Sequence, residues 1–431
     1  MTLGLIVIGG FIALMLLGVP VTMAIGAGSI FGLYYAGFGD QGLVVPQQIL
    51  DGAAKPALLA IPFFILAGNL MNAIGLTDRI FNFALALVGH FRAGLAYVNV
   101  IASLLFSGVS GAATADIAGL GQLEVKAMRA RGYSPEFSAA LTVATSLVGP
   151  IVPPSISLIV YAWLANESVA RLFLAGIVPG ILVAVSFIAY IRVIAIWVPM
   201  PREPRADLKG IGRAALEGIP ALVAPAIIMG AIVFGFATAT EAGVIACGYS
   251  LLIGLFYRSL NAKAVWNALV ESTVLSALIM MIIGFSQIMG WLFAFEQVPQ
   301  AFASGILAAI DSRAVFLGFT IVLLVIIGCF MEASPAKIIL LPLLLPAADA
   351  FGIDRVQFGM IITLALLLGI ATPPLGVGLY LMSAVSGVRF EKLAIAILPL
   401  MIPPIVALIF IAAFPQITLW LPDLVMGPAQ R

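Results

Sequence analysis

Apolar residues run along this chain in long blocks interrupted by short polar or proline-containing joints. Residues 172–198, 216–236 and 394–414 each supply the roughly 20 helical residues that cross about 30 Å of hydrocarbon. A membrane barrel would instead show short alternating segments. The pattern therefore predicts an all-α polytopic membrane protein. Met1-Thr2-Leu3-Gly4-Leu5 enters apolar sequence with no preceding positive charge, which predicts a first membrane helix and not a cleaved signal.

The interruptions repeat. Gly149-Pro150-Ile151-Val152-Pro153-Pro154 and Gly369-Ile370-Ala371-Thr372-Pro373-Pro374 sit 220 positions apart, as do Gly132 and Gly352, or Pro179 and Pro399. A proline in a membrane helix removes a donor and clashes with the preceding turn, so each pair marks a broken helix. Small, polar runs at 107–114 and 331–334 fall opposite each other at an interval of 221. The apolar stretches flanking the first run, 95–106 and 117–123, are each too short to span alone, which predicts a re-entrant hairpin in each half. Two repeats, 1–210 and 211–431, follow from the interval.

Charge bias orients them. Lys126, Arg129 and Arg131 crowd one connection, whereas its counterpart near 346–352 carries Asp349 and no base. Arg389 and Lys392 flank Glu391, but only Arg171 lies near the matching Glu167. Between the halves Arg192, Arg202, Arg205, Lys209 and Arg213 face three acids, against Asp423 and the terminal Arg431 in the equivalent place. Basic residues near helix ends favour the cytoplasm, so equivalent loops fall on opposite sides and the repeat is predicted to be inverted.

Broken backbone survives in a bilayer only against protein or a wet cavity, and paired interruptions point to the substrate and ion site of a secondary transporter. Helix N-termini at the hairpin tips would favour an anionic group, and loose carbonyls at the breaks would suit a hard monovalent cation. Among charges within apolar sequence, Asp116 and Lys337 occupy equivalent places; either contacts substrate or each faces a wet vestibule at a helix end. Glu332, at the second tip, would take a proton, support a cation site or bond backbone amides. Glu241 and Glu296 border apolar runs and read as interfacial, like His90, the only histidine.

Composition removes other classes. Of 431 residues 63% are hydrophobic and 9% charged, against roughly 25% charged in a soluble domain. A net charge of +1 offers no surface for nucleic acid. No His-Glu-x-x-His, Gly-x-Ser-x-Gly or phosphate-loop motif occurs, and Cys247 and Cys329 read as buried small hydrophobes. An enzyme is not expected.

At Ala67-Gly68-Asn69-Leu70-Met71, 107–118, Gly132-Tyr133-Ser134-Pro135-Glu136-Phe137, 149–155, Gly290-Trp291-Leu292 and Thr372-Pro373-Pro374 the chain resembles the large membrane subunit of tripartite ATP-independent periplasmic (TRAP) transporters. The likeness spans essentially the whole chain. It implies an elevator-type carrier of the bacterial inner membrane, with scaffold and transport domains. It also implies sodium as coupling ion, a small four-helix membrane subunit (Q) and a periplasmic binding protein (P), both as separate chains. By motif, sodium would be held by Ser107, Gly149, Val152 and Ser155 in the first half, and by Gly328, Gly369, Thr372 and Leu375 in the second. Substrate, a small organic anion (a carboxylate or a sulfonate), would lie near Ser110, Gly111, Ala112, Thr114, Glu332, Ala333 and Ser334. Ala239 departs from the resemblance, which has proline at that scaffold turn. The competing readings are a stand-alone ion-coupled anion symporter, and a channel or non-transporting membrane scaffold.

Overall fold

All regular structure among the described residues is helical. The computed structural model describes residues 2–38, 44–198 and 200–428; Met1 and Arg431, both used above, lie outside them. The first half comprises α1 (Thr2–Leu16), α2 (Val21–Leu33), α3 (Val44–Ala53), α4 (Ala60–Ala73), α5 (Leu76–Val88), α6 (Gly94–Ser110), α7 (Ala113–Ala130), α8 (Pro135–Ser146), α9 (Ile156–Ala165) and α10 (Val169–Trp197). The second comprises α11 (Leu208–Val233), α12 (Ala239–Phe256), α13 (Ala262–Phe295), α14 (Val298–Ala309), α15 (Arg313–Phe330), α16 (Ala333–Ala350), α17 (Arg355–Ile370), α18 (Val377–Ser386), α19 (Phe390–Ile397), α20 (Ile402–Ala413) and α21 (Gln416–Met426). Eight segments are long and apolar enough to cross a membrane, or nine if α4 and α5, bent by 69° at their junction, count as one.

Boundaries follow local chemistry. Thr238 caps α12, and Glu241 returns a bond to the Thr238 amide, so this acid completes a capping box at the helix start. Ser134, Ser155 and Ser168 cap α8, α9 and α10 one way only, each hydroxyl accepting a backbone amide. Both proline pairs, Pro153-Pro154 and Pro373-Pro374, are cis.

The hairpin arms differ from the expectation. α6 has 17 residues and α7 has 18, about 26 Å each at 1.5 Å per residue, while α15 and α16 each pass the length and hydropathy requirement for crossing. Ser107, Gly108 and Ser110, read as part of an irregular run, continue α6, and only Gly111 and Ala112 break it. Small residues suit the close packing of this end of α6, where Gly108 lies against Pro225 of α11, and Val109 and Ser110 against Gly68 of α4.

Packing within and between the halves is reciprocal. α6 lies on α8 and α15 on α17; α7 packs against α18 and α16 against α9; α4 lies on α12 and α2 on α13. Polar bonds gather the connections into two groups. In one, Arg131 pairs with Glu203 at 2.8 Å, Lys392 with Glu136 at 3.3 Å, and Arg129 donates to the Ser386 carbonyl. In the other, Arg355 pairs with Asp349 at 2.8 Å and donates to the Ala165 carbonyl, while Arg171 pairs with Asp423. The groups flank opposite ends of α10, whose 29 residues span about 43 Å. Each connection of the first group thus has its counterpart 220 positions away in the second.

Candidate functional site

The two hairpin tips meet at one small cavity. Its walls include Gly111, Ala112, Ala113 and Thr114 from the first tip, Glu332, Ala333 and Ser334 from the second, and Pro150, Ile156, Ser157, Leu367 and Ile370 from the broken helices, with Ile279 of α13 closing one side. Six of the seven residues expected near substrate are therefore brought together. Ser110, the seventh, does not line the cavity; its hydroxyl donates to Asp116. Three helix N-termini converge here, those of α7, α9 and α16, so backbone amides and positive dipole ends surround the space. Glu332 stands at the N-cap of α16 without bonding the helix amides, its side chain exposed.

The cavity measures about 50 Å³. An organic ligand occupies pockets on the order of 300 Å³ or more, so this space is smaller than such a ligand fills. Close backbone packing seats the first tip on the first break. Gly111 has a left-handed φ of 61°, and a Cβ there would lie 2.6 Å from the Pro154 carbonyl oxygen, so the first tip fits the first break only as glycine. Asp116 sits in the first turn of α7; one oxygen accepts from Ser110, and the other points at Gly149, 2.9 Å from where a Cβ would be. That second oxygen has no hydrogen-bond partner among the described residues.

Of the eight expected sodium residues, Gly328 and Gly369 come into direct backbone contact between α15 and α17. Ser107 is fully buried and donates to the Leu104 carbonyl. Ser155 donates to the Pro150 carbonyl and accepts from the Leu158 amide at 3.2 Å. Thr372 donates to Leu368 at 2.7 Å. Gly149 and Val152 lie within the first break, whereas Gly369 forms the last turn of α17, so the two halves are not identical here. Leu375 is the outlier, with an exposed side chain.

Neither Asp116 nor Lys337 faces a wet vestibule: they are 2% and 0% exposed. Lys337 Nζ donates to the Ser157 carbonyl at 2.9 Å, to Ser157 Oγ at 2.6 Å and to Thr363 Oγ1 at 2.7 Å. A second buried network escaped the sequence reading. The Asn99 amide donates to Glu124 at 2.8 Å and to Thr142 at 2.7 Å, while the Thr145 hydroxyl donates back to Asn99 Oδ1 at 2.6 Å. Glu124 is 1% exposed, and a buried carboxylate is costly unless bonded. Its signal was an acid in a segment dense with Lys126 and Arg129, which made it look like part of a solvated charge cluster.

Helices broken in pairs around one small cavity, in a chain with eight or nine potential spans, define a polytopic membrane carrier. The chain belongs to the tripartite ATP-independent periplasmic transporter family, matching its DctM component over residues 8–417. It is 40% identical over 385 residues to the sialic acid TRAP transporter large permease protein SiaM of Vibrio cholerae, covering 89% of this chain and 90% of that one. Identity is 34% to the C4-dicarboxylate large permease DctM of the same organism, covering 97% of each. It is also 34% to the isethionate permease DctMQ of Oleidesulfovibrio alaskensis, of which the chain covers 66%. In fold, the YdaH transporter of Alcanivorax borkumensis is similar, with a TM-score of 0.65 and 16% identity over 96% of this chain and 98% of that one. The chain is thus a multi-pass transport permease of the bacterial inner membrane and not an enzyme.

Proposed function

We propose that this chain is the large permease of a sodium-coupled carrier that imports a small organic anion by moving a transport domain relative to a scaffold. The observation that carries the reading is the convergence of both hairpin tips and three helix N-termini on one cavity. Amides and positive dipole ends favour an anion there, and the named cargoes of the relatives, sialic acid, C4-dicarboxylate and isethionate, are all anions at neutral pH.

Sodium would sit beside the cavity, at Ser107, Gly149, Val152 and Ser155, and again at Gly328, Gly369, Thr372 and Leu375. The two sets are related by the repeat, and the opposite placement of equivalent connections along α10 supports units 1–210 and 211–431 of opposite orientation. A carrier of this family would receive its substrate from a periplasmic binding protein and work with a small membrane subunit. The cavity's small volume supports tips that separate to admit cargo.

The test is thermal unfolding of the purified chain in sodium chloride against potassium chloride at equal ionic strength. Selective stabilisation by sodium, lost on substituting Phe for Ser107 and Thr372, is the expected result. Equal stability in both salts would sink the sodium assignment.

A further inference from the structure

Lys337 is the one fully buried lysine in the described structure, and no carboxylate pairs with it among the described residues. Its partners come from two elements, α9 and α17, and all are neutral oxygens. With Lys337 as an ammonium, the donor count sets the direction of these bonds. Thr363 gives its own hydroxyl proton to the Gly359 carbonyl at 2.7 Å, so it accepts from Lys337. The Ser157 carbonyl can only accept. An ammonium has three protons, and the third goes to Ser157 Oγ. That leaves the Ser157 hydroxyl proton with no acceptor on the protein among the described residues, on a residue that lines the cavity.

We propose that Lys337 is a specificity-determining positioning residue: its ammonium holds the Ser157 hydroxyl as a donor aimed into the cavity, and the negative charge of the bound cargo offsets its own. The inference rests on the reading of this cavity as the anion site. A buried cation without a counter-ion is unfavourable, so occupation of the cavity by an anion relieves a cost that a neutral molecule of the same shape leaves in place. Lys337 stands behind Ser157, does not line the cavity, and selects for charge through it.

The experiment uses the full chain in lipid nanodiscs with sodium present. Thermal stabilisation is titrated with succinate and N-acetylneuraminate, and in parallel with their uncharged counterparts, succinamide and the N-acetylneuraminate methyl ester. Lys337→Gln and Ser157→Ala are each expected to raise the anion concentration for half-maximal stabilisation about tenfold and to leave the response to the neutral analogues unchanged. The double variant should be no worse than the more affected single one, because both remove the same interaction. A purely structural lysine would lower the melting temperature without moving that midpoint, and an unchanged midpoint in Lys337→Gln beside a responsive parent overturns the relay alone. A parent stabilised by no anion overturns both the relay and the anion site beneath it. Should Lys337→Gln fail to fold, Ser157→Ala carries the same prediction, and an unchanged midpoint there is equally fatal.

Discussion

Gly328 and Gly369 meet backbone to backbone: a Cβ on Gly369 would fall 2.4 Å from the Gly328 carbonyl carbon and 2.6 Å from the Val325 carbonyl oxygen. Backbone cannot yield as a flexible side chain does. Gly369→Ala is therefore expected to push α15 and α17 apart and to destabilise the chain by about 1–3 kcal/mol, the usual cost of overpacking. Gly318, in the same α15 helix, has nothing within 4 Å of an added Cβ. Gly318→Ala should be neutral or stabilising, by up to about 1 kcal/mol of helix propensity. Melting temperatures in detergent compare the two; equal losses would contradict the close approach.

Asn99 donates to the buried Glu124 through its amide and accepts a hydrogen bond from Thr145 through its carbonyl. Removing it leaves a carboxylate short of donors in a dry interior. Asn99→Ala should cost on the order of 2–3 kcal/mol, the range for stranding a buried hydrogen-bonding group. Combining it with Glu124→Gln should restore part of that loss, because the charge that needed the amide is gone. Thermal unfolding of the single and double variants decides this; strictly additive losses would refute the coupling.

Glu167 lies in the α9–α10 connection beside Asp354, Arg355, Arg171 and Asp349. Burial first, and then the Asp354 charge, hold its carboxyl above the ordinary carboxylate range against the pull of Arg355 and Arg171. A raised native pKa means the folded chain binds this proton more tightly than the unfolded one. The contribution is present below the unfolded value, about 4.3, and is lost as pH rises through the native value. Glu167→Gln should therefore raise the melting temperature relative to the parent more at pH 7 than at pH 4. A difference that is flat or larger at pH 4 would contradict the shift.

Much of the site was legible because backbone breaks leave a sequence trace. Proline pairs, small residues and their shared interval located both tips and both breaks, and Gly111, Ala112, Thr114, Glu332, Ala333 and Ser334 do share one cavity. Helix ends were harder. Ser107 and Ser110 read as irregular because their side chains are polar, yet the backbone stays helical to Ser110, packed against Gly68 of α4 and Pro225 of α11. Side-chain partners were the least visible part. Lys337 and Ser157 are 180 positions apart, and Arg171 and Asp423 are 252 apart. No local pattern encodes such pairs; only the reciprocal packing of the halves brings them together.

Uptake in proteoliposomes tests the proposed sodium-driven import of an anion. The chain is reconstituted with its small membrane subunit, an inward sodium gradient is imposed, and periplasmic binding protein loaded with labelled sialic acid, C4-dicarboxylate or isethionate is supplied outside. Accumulation above the external concentration that requires both the gradient and the binding protein is the predicted result. Equilibration that ignores the sodium gradient would contradict the claim and mark the chain as a channel, and accumulation without binding protein would mark it as a stand-alone symporter.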